Sequence, residues 1–240
     1  MGWALAALLA VTGSGGIPGS IDTKAMAQAA PRPVAPAATP AAPGNRFVVV
    51  LDAAHGGDDT GGHLNGQSES AFTLAMEVRL RSVLGARGIQ VVTTRESDAA
   101  VDQVKRAELA NHASAQVCLS LHGSESGAGV HLYVSNLAPV QPARFAPWKT
   151  AQAAWVTRSL ALAGTLNSAL LQAGMTVTLG RTPLPGVDSM TCPAVAVELA
   201  PERGPDKKVT ADLDDQGYQA RVAGALAAAL VEWRGEAPQP

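Results

Sequence analysis

Aromatic residues are scarce, at 4% of 240 positions, and charged residues make up only 16%. The apolar run Trp3–Val11 is nine residues long, too short to cross a bilayer as a helix. Positive charge is not in excess. Eighteen Lys and Arg against twenty Asp and Glu leave a net charge of −2, and the missing basic footprint excludes a dedicated nucleic-acid binder. The two cysteines, Cys118 and Cys192, are too far apart for a CxxC motif and too few to frame a disulfide mini-protein. They read as small buried apolar residues, and whether their backbones come close enough to bond is open at this level. No phosphate-binding or dinucleotide glycine motif follows a strand. The stretch Gly123–Gly127 carries Glu125 where a nucleophile elbow would carry serine, so a serine hydrolase is excluded too.

What is present suffices for a packed core, since 47% of the residues are hydrophobic. Trp3–Val11 has the length of a secretory h-region, and Ala25-Met26-Ala27 offers a small-residue cleavage pattern. Residues 1–27 are therefore expected to be an export signal or an anchor. From Gln28 to Gly44, seven alanines and five prolines occupy twelve of seventeen positions, a semi-rigid extended tether. A folded domain is expected over 45–240, mildly acidic and monomeric.

Within that domain, β-branched and helical patterns alternate. Phe47–Leu51 predicts a strand buried on both faces, ending in Asp52-Ala53-Ala54-His55-Gly56-Gly57. Phe72, Ala75, Met76, Leu80, Val83 and Leu84 then share one helical stripe that stops at Gly88. Strands follow at Ile89–Thr94, Val117–Leu121, Val130–Val134 and Ala194–Val197. Helices are predicted over Val101–Ala113, from about Lys149 to Gln172, and through the apolar face Tyr218–Trp233. The alternation predicts a single α/β domain, a mostly parallel twisted sheet of about six strands with helices on both faces.

In such sheets functional groups collect beyond the carboxyl ends of the strands. Three predicted strands end in His55, His122 and Glu198. Two imidazoles and a carboxylate can hold Zn²⁺ with one position open. Glu69 opens the first helix fourteen residues after His55, capped by Ser68, and can turn back to the same mouth. Glu198, after four apolar strand residues, is free to carry a proton between water and a leaving nitrogen. His63 is expected in solvent. His112 and His131 read as structural, and Arg95 as architectural.

Asp52-Ala53-Ala54-His55-Gly56-Gly57, Glu69 before an amphipathic helix, Thr94-Arg95, Ser120-Leu121-His122 and Val197-Glu198-Leu199 follow one another in order. Together, over about Phe47–Trp233, they resemble the zinc-dependent N-acetylmuramoyl-L-alanine amidases. The resemblance implies zinc ligation by His55, Glu69 and His122, with Glu198 as the catalytic glutamate. It also implies hydrolysis of the amide between N-acetylmuramic acid and the L-alanine of the peptidoglycan stem, in the periplasm or cell envelope, autonomously or under an activator protein. Two other readings stay open: a wall-binding copy that no longer turns over, and an amidase or peptidase acting on another N-acyl peptide. The chain departs from the family pattern at Ala54, where glycine is usual, at Ser70-Ala71 after Glu69, and at Gly123-Ser124 after His122. Ala54 is harmless unless its backbone requires positive φ. The stretch Phe145–Gln152 resembles a subgroup of the family and is expected to form a lip over the site.

Overall fold

Every residue of Val48–Ala53 is buried, as a β-branched run between two helical layers requires. In the computed structural model, which describes residues 47–143 and 147–236, this is strand β1. It is joined by β2 (Gln90–Thr93), β3 (Val117–Gly123), β4 (Val130–Ser135), β5 (Val177–Thr182) and β6 (Ala194–Leu199). They form one six-stranded sheet in the order β2-β1-β3-β6-β4-β5. The predicted mostly parallel α/β sheet is thus what the chain forms. β4 departs from it, pairing antiparallel with β6 and parallel with β5. The sequence pattern assigned nothing to β5, because an edge strand with no buried residue, and with Gly180 and Arg181 inside it, lacks a buried period.

Helices α1 (Glu69–Gly85), α3 (Val156–Gln172) and α4 (Gln216–Glu236) cover one face. Their stripes, including Phe72, Met76, Leu80, Leu166, Tyr218, Leu226 and Trp233, join Val49 and Leu51 of β1 in the larger core. Each fully buried aliphatic or aromatic side chain there contributes about 1.5–3 kcal/mol. Val50 points the other way, into a smaller cluster with Ala107 and Ala110 of α2 (Gln103–His112). The period of two in β1 thereby sorts its side chains between the layers.

Helix starts follow the capping residues. Ser68 Oγ accepts from the Ala71 backbone N–H at 3.2 Å, so α1 begins at Glu69. Asp102 accepts from Lys105 N–H at 2.8 Å, so α2 begins at Gln103 rather than Val101. The helix expected from Lys149 is a 3₁₀ stretch, Trp148–Ala154, before α3. Thr150 there is non-helical, and the buried Gln152 amide donates to the carbonyls of Met190 and Cys192, holding the stretch under that turn.

Cys118 and Cys192 are joined by a disulfide, with Cα atoms 6.1 Å apart, which answers the pairing that the sequence leaves open. Both sulfurs are buried in the α2-side cluster, and sequence separation hid a closeness that only the β3–β6 pairing creates. Trp3–Val11, Ala25–Ala27, the 28–44 tether and Phe145 lie outside the described residues. Among the described residues, no helix is long and apolar enough to cross a membrane.

Candidate metal centre

β1, β3 and β6 run the same way, so their carboxyl ends open on one edge of the sheet. His55 follows β1 with φ +61°, a left-handed backbone that a non-glycine residue adopts at a cost of about 1 kcal/mol. The positive φ falls on the histidine itself and not on Ala54, so the alanine is accommodated. His122 lies in β3, and Glu69 is the first residue of α1.

The three side chains converge. His122 Nδ1 lies 3.0 Å from Glu69 Oε1, and His55 Nε2 lies 3.2 Å from Glu69 Oε2. The imidazole rings meet edge to face at 88°, with centroids 5.7 Å apart. The Gly62 and Gly123 N–H groups donate to the two Glu69 oxygens at 2.9 and 3.2 Å. Burial pushes the Glu69 carboxyl up, but the bonds from His122, Gly62 and Gly123 outweigh it and hold it at about 2. Gly61 backs the group so tightly that a Cβ there would stand 2.6 Å from the His55 ring and 2.8 Å from Glu69 Oε2. Only glycine fits.

His55, Glu69 and His122 each offer a donor atom, all within 4.8 Å of one another, so the group could hold a metal ion. The donor set suits zinc. Two atoms each about 2.0–2.1 Å from a tetrahedral ion lie roughly 3.3 Å apart, close to the two histidine–carboxylate spacings of 3.0 and 3.2 Å. His55 Nδ1 is engaged by Asp59 Oδ2 at 2.9 Å, which leaves Nε2 to face the centre. The hydrogen bond from His55 holds the Asp59 carboxyl below its usual value.

Glu198 is not in this cluster. It stands on β6 as the Cα partner of His122, and its Oε1 accepts from His131 Nδ1 at 2.9 Å. His63 is exposed, and His112 closes α2, as expected. Arg95 is architectural: it donates to the carbonyls of Ala53, Ala54, Ser70 and Ser97. Sequence reasoning missed Asp59, Arg106 and the engagement of His131. The Asp58-Asp59 pair, three and four residues beyond His55, was the available signal for the first. A cleft of about 620 Å³ runs from His55 and His122 past Gln103 to Leu184 and Val187.

An open α/β sheet with a His–Glu–His set at its strand ends that could hold a metal ion, and a separate carboxylate beside it, is an arrangement suited to hydrolases. The chain belongs to the Amidase_3 family, N-acetylmuramoyl-L-alanine amidase, whose model matches residues 49–232. It is 39% identical over 80 residues to the N-acetylmuramoyl-L-alanine amidase AmiA of Escherichia coli K12, covering 33% of this chain and 28% of AmiA. It is 36% identical over 89 residues to an endolysin of Bacillus phage SPP1, covering 36% of this chain and 33% of that protein. These matches span about a third of the relatives' lengths. The catalytic domain of CwlV, an N-acetylmuramoyl-L-alanine amidase from Bacillus (Paenibacillus) polymyxa var. colistinus, superposes with a TM-score of 0.61 at 25% identity. That superposition covers 79% of this chain and 98% of CwlV's domain.

Proposed function

We propose that this chain is an exported zinc amidase. It would hydrolyse the amide between the lactyl group of N-acetylmuramic acid and the L-alanine of peptidoglycan stem peptides. The observation that carries this reading is the placement of Glu198 on the strand next to His122, beside a His55–Glu69–His122 donor set of zinc chemistry. When bound by those three residues, zinc supplies Lewis-acid polarisation of a carbonyl and lowers the pKa of water. Glu198 takes the proton of the attacking water and returns it to the leaving nitrogen. One amide and one water thus become a lactyl carboxylate and a free L-alanine amine. Asp59 keeps His55 turned with Nε2 inward, and the two backbone N–H groups hold the Glu69 carboxylate in place. The open cleft beside the histidines admits an extended glycopeptide.

In this reading residues 1–27 direct export, 28–44 tether the enzyme, and 45–240 catalyse. The Cys118–Cys192 disulfide supports an oxidising compartment such as the periplasm or cell envelope. Sacculi digested with the full chain should release stem peptides beginning with free L-alanine, identified by mass spectrometry. The purified protein should carry close to one zinc, lost in the double variant His55→Ala, His122→Ala. Cleavage at a glycosidic bond or within the stem, or full zinc in the double variant, would overturn the proposal.

A further inference from the structure

Glu198 sits in the middle of a row that crosses three adjacent strands. It is the Cα partner of His122 in the β3–β6 pairing and of His131 in the β6–β4 pairing. Because β4 runs antiparallel to β6, its first residues reach the mouth, which brings His131 there although it ends no strand.

The His131 imidazole is held on several sides. Its side chain is 12% exposed, and its Nδ1 lies 2.9 Å from Glu198 Oε1. The Tyr133 ring meets it at 79°, with centroids 6.2 Å apart. Gly127, in the loop before β4, approaches so closely that a Cβ there would stand 2.3 Å from His131 Cε1 and 2.7 Å from Nε2. Arg203 Nε fixes that loop by donating to the Gly127 carbonyl at 3.0 Å. The ring is therefore locked with Nδ1 aimed at Glu198. Among the described residues, His131 is the hydrogen-bond partner of the Glu198 carboxylate, whose side chain is 29% exposed. A glutamate on an open mouth otherwise divides its time among several rotamers, and only some of them present an oxygen to the reacting water.

We infer that His131 is a positioning residue. It donates Nδ1–H to Glu198 Oε1, pins the carboxylate by that oxygen and leaves Oε2 as the atom that takes the proton of water. The inference rests on Glu198 being the proton carrier proposed above. A purely structural role is the competing account, and it makes a different forecast: every replacement should then lower the melting temperature alike, whether or not it restores an N–H toward Glu198.

The test compares His131→Ala, His131→Phe and His131→Asn in the full chain on a soluble muramoyl-peptide, with zinc content and melting temperature measured on each. Phenylalanine keeps a ring without the nitrogen. Asparagine presents an N–H at the same position along the side chain as Nδ1. Ala and Phe should lower kcat by roughly 10- to 100-fold, the scale of a misplaced reacting group, with KM and zinc within about twofold of the parent. Asn should recover most of kcat. Parent-like turnover in Ala and Phe would overturn the inference, as would an Asn variant no better than Phe. Equal loss of zinc or melting temperature in Phe and Asn would place His131 in the scaffold and overturn it as well. Glu198→Gln is measured alongside. If it keeps parent activity, the reading of Glu198 fails. If it is inactive while the His131 variants are not, only the inference about His131 fails.

Discussion

Arg106 and Asp52 form a buried ion pair, Nη1 to Oδ1 at 2.7 Å, with less than a tenth of either side chain exposed. The same guanidinium donates to the carbonyls of Ala53 and His55 at 2.6 Å and of Val101 at 2.7 Å. Asp52 also accepts from Thr94 Oγ and Ser120 Oγ, at 2.7 and 2.8 Å. The pair therefore clamps the turn that holds His55 at positive φ and ties β1 to β3, the strand of His122.

Arg106→Met should unfold about 3–5 kcal/mol more easily, because Asp52 is left as an uncompensated buried charge. Zinc affinity should fall by roughly 10- to 100-fold with the loss of support behind His55. Urea unfolding and zinc titration check both. Adding Asp52→Asn to the Arg106→Met chain should recover part of the stability. Parent stability in the single variant would show that the pair holds nothing.

Glu77, on α1, is fully buried, and neither carboxylate oxygen has a hydrogen-bond partner, although Arg81 Nε lies 3.5 Å from Oε1. Burial raises its pKa above the usual carboxylate value, against the opposing pull of Arg81. The unfolded chain then releases this proton at a lower pH than the folded one does. Stability falls as pH climbs from the unfolded to the folded value, and the full penalty applies above both. Glu77→Gln should be more stable at pH 7 by about 1 kcal/mol, which is roughly 2–4 °C in Tm for a domain this size. The gain should vanish below about pH 3, where the carboxyl is protonated in both states. A gain of equal size at both pH values would contradict the assignment.

The donor set was legible because each member ends or opens an element that its own pattern announces. The β-branched runs deliver His55 and His122 to one edge, and Ser68 marks the turn that puts Glu69 at a helix start. His131 was not legible. Taking β4 as one of the parallel strands puts the mouth at its far end, beyond Val134, and leaves His131 at the wrong edge. Strand direction depends on the connection to neighbours, which a local period does not encode. Arg106 was hidden for a similar reason: a basic residue among Lys105 and Glu108 looks like a solvated helix face, and only tertiary packing turns it inward. The Cys118–Cys192 bond follows from the β3–β6 register and equally has no local signature.

That disulfide closes a span of 74 residues and ties β3 to the turn entering β6, so it restrains the strands of His122 and Glu198 together. Reduction, or Cys118→Ser with Cys192→Ser, should cost about 2–4 kcal/mol. Denaturant titration with and without reductant measures it. A reduced protein as stable as the oxidised one would mean that the bond adds no constraint the sheet lacks.

Glu198→Gln offers the most direct test of the proposed chemistry, because it keeps the volume of the side chain and its bond to His131 but cannot accept a proton. Zinc content and release of stem peptides from sacculi are measured on the same preparation. The account predicts zinc at the parent level and a rate lower by roughly 100-fold or more, the usual scale of lost general acid–base catalysis. Parent-rate release of stem peptides with zinc in place would contradict it.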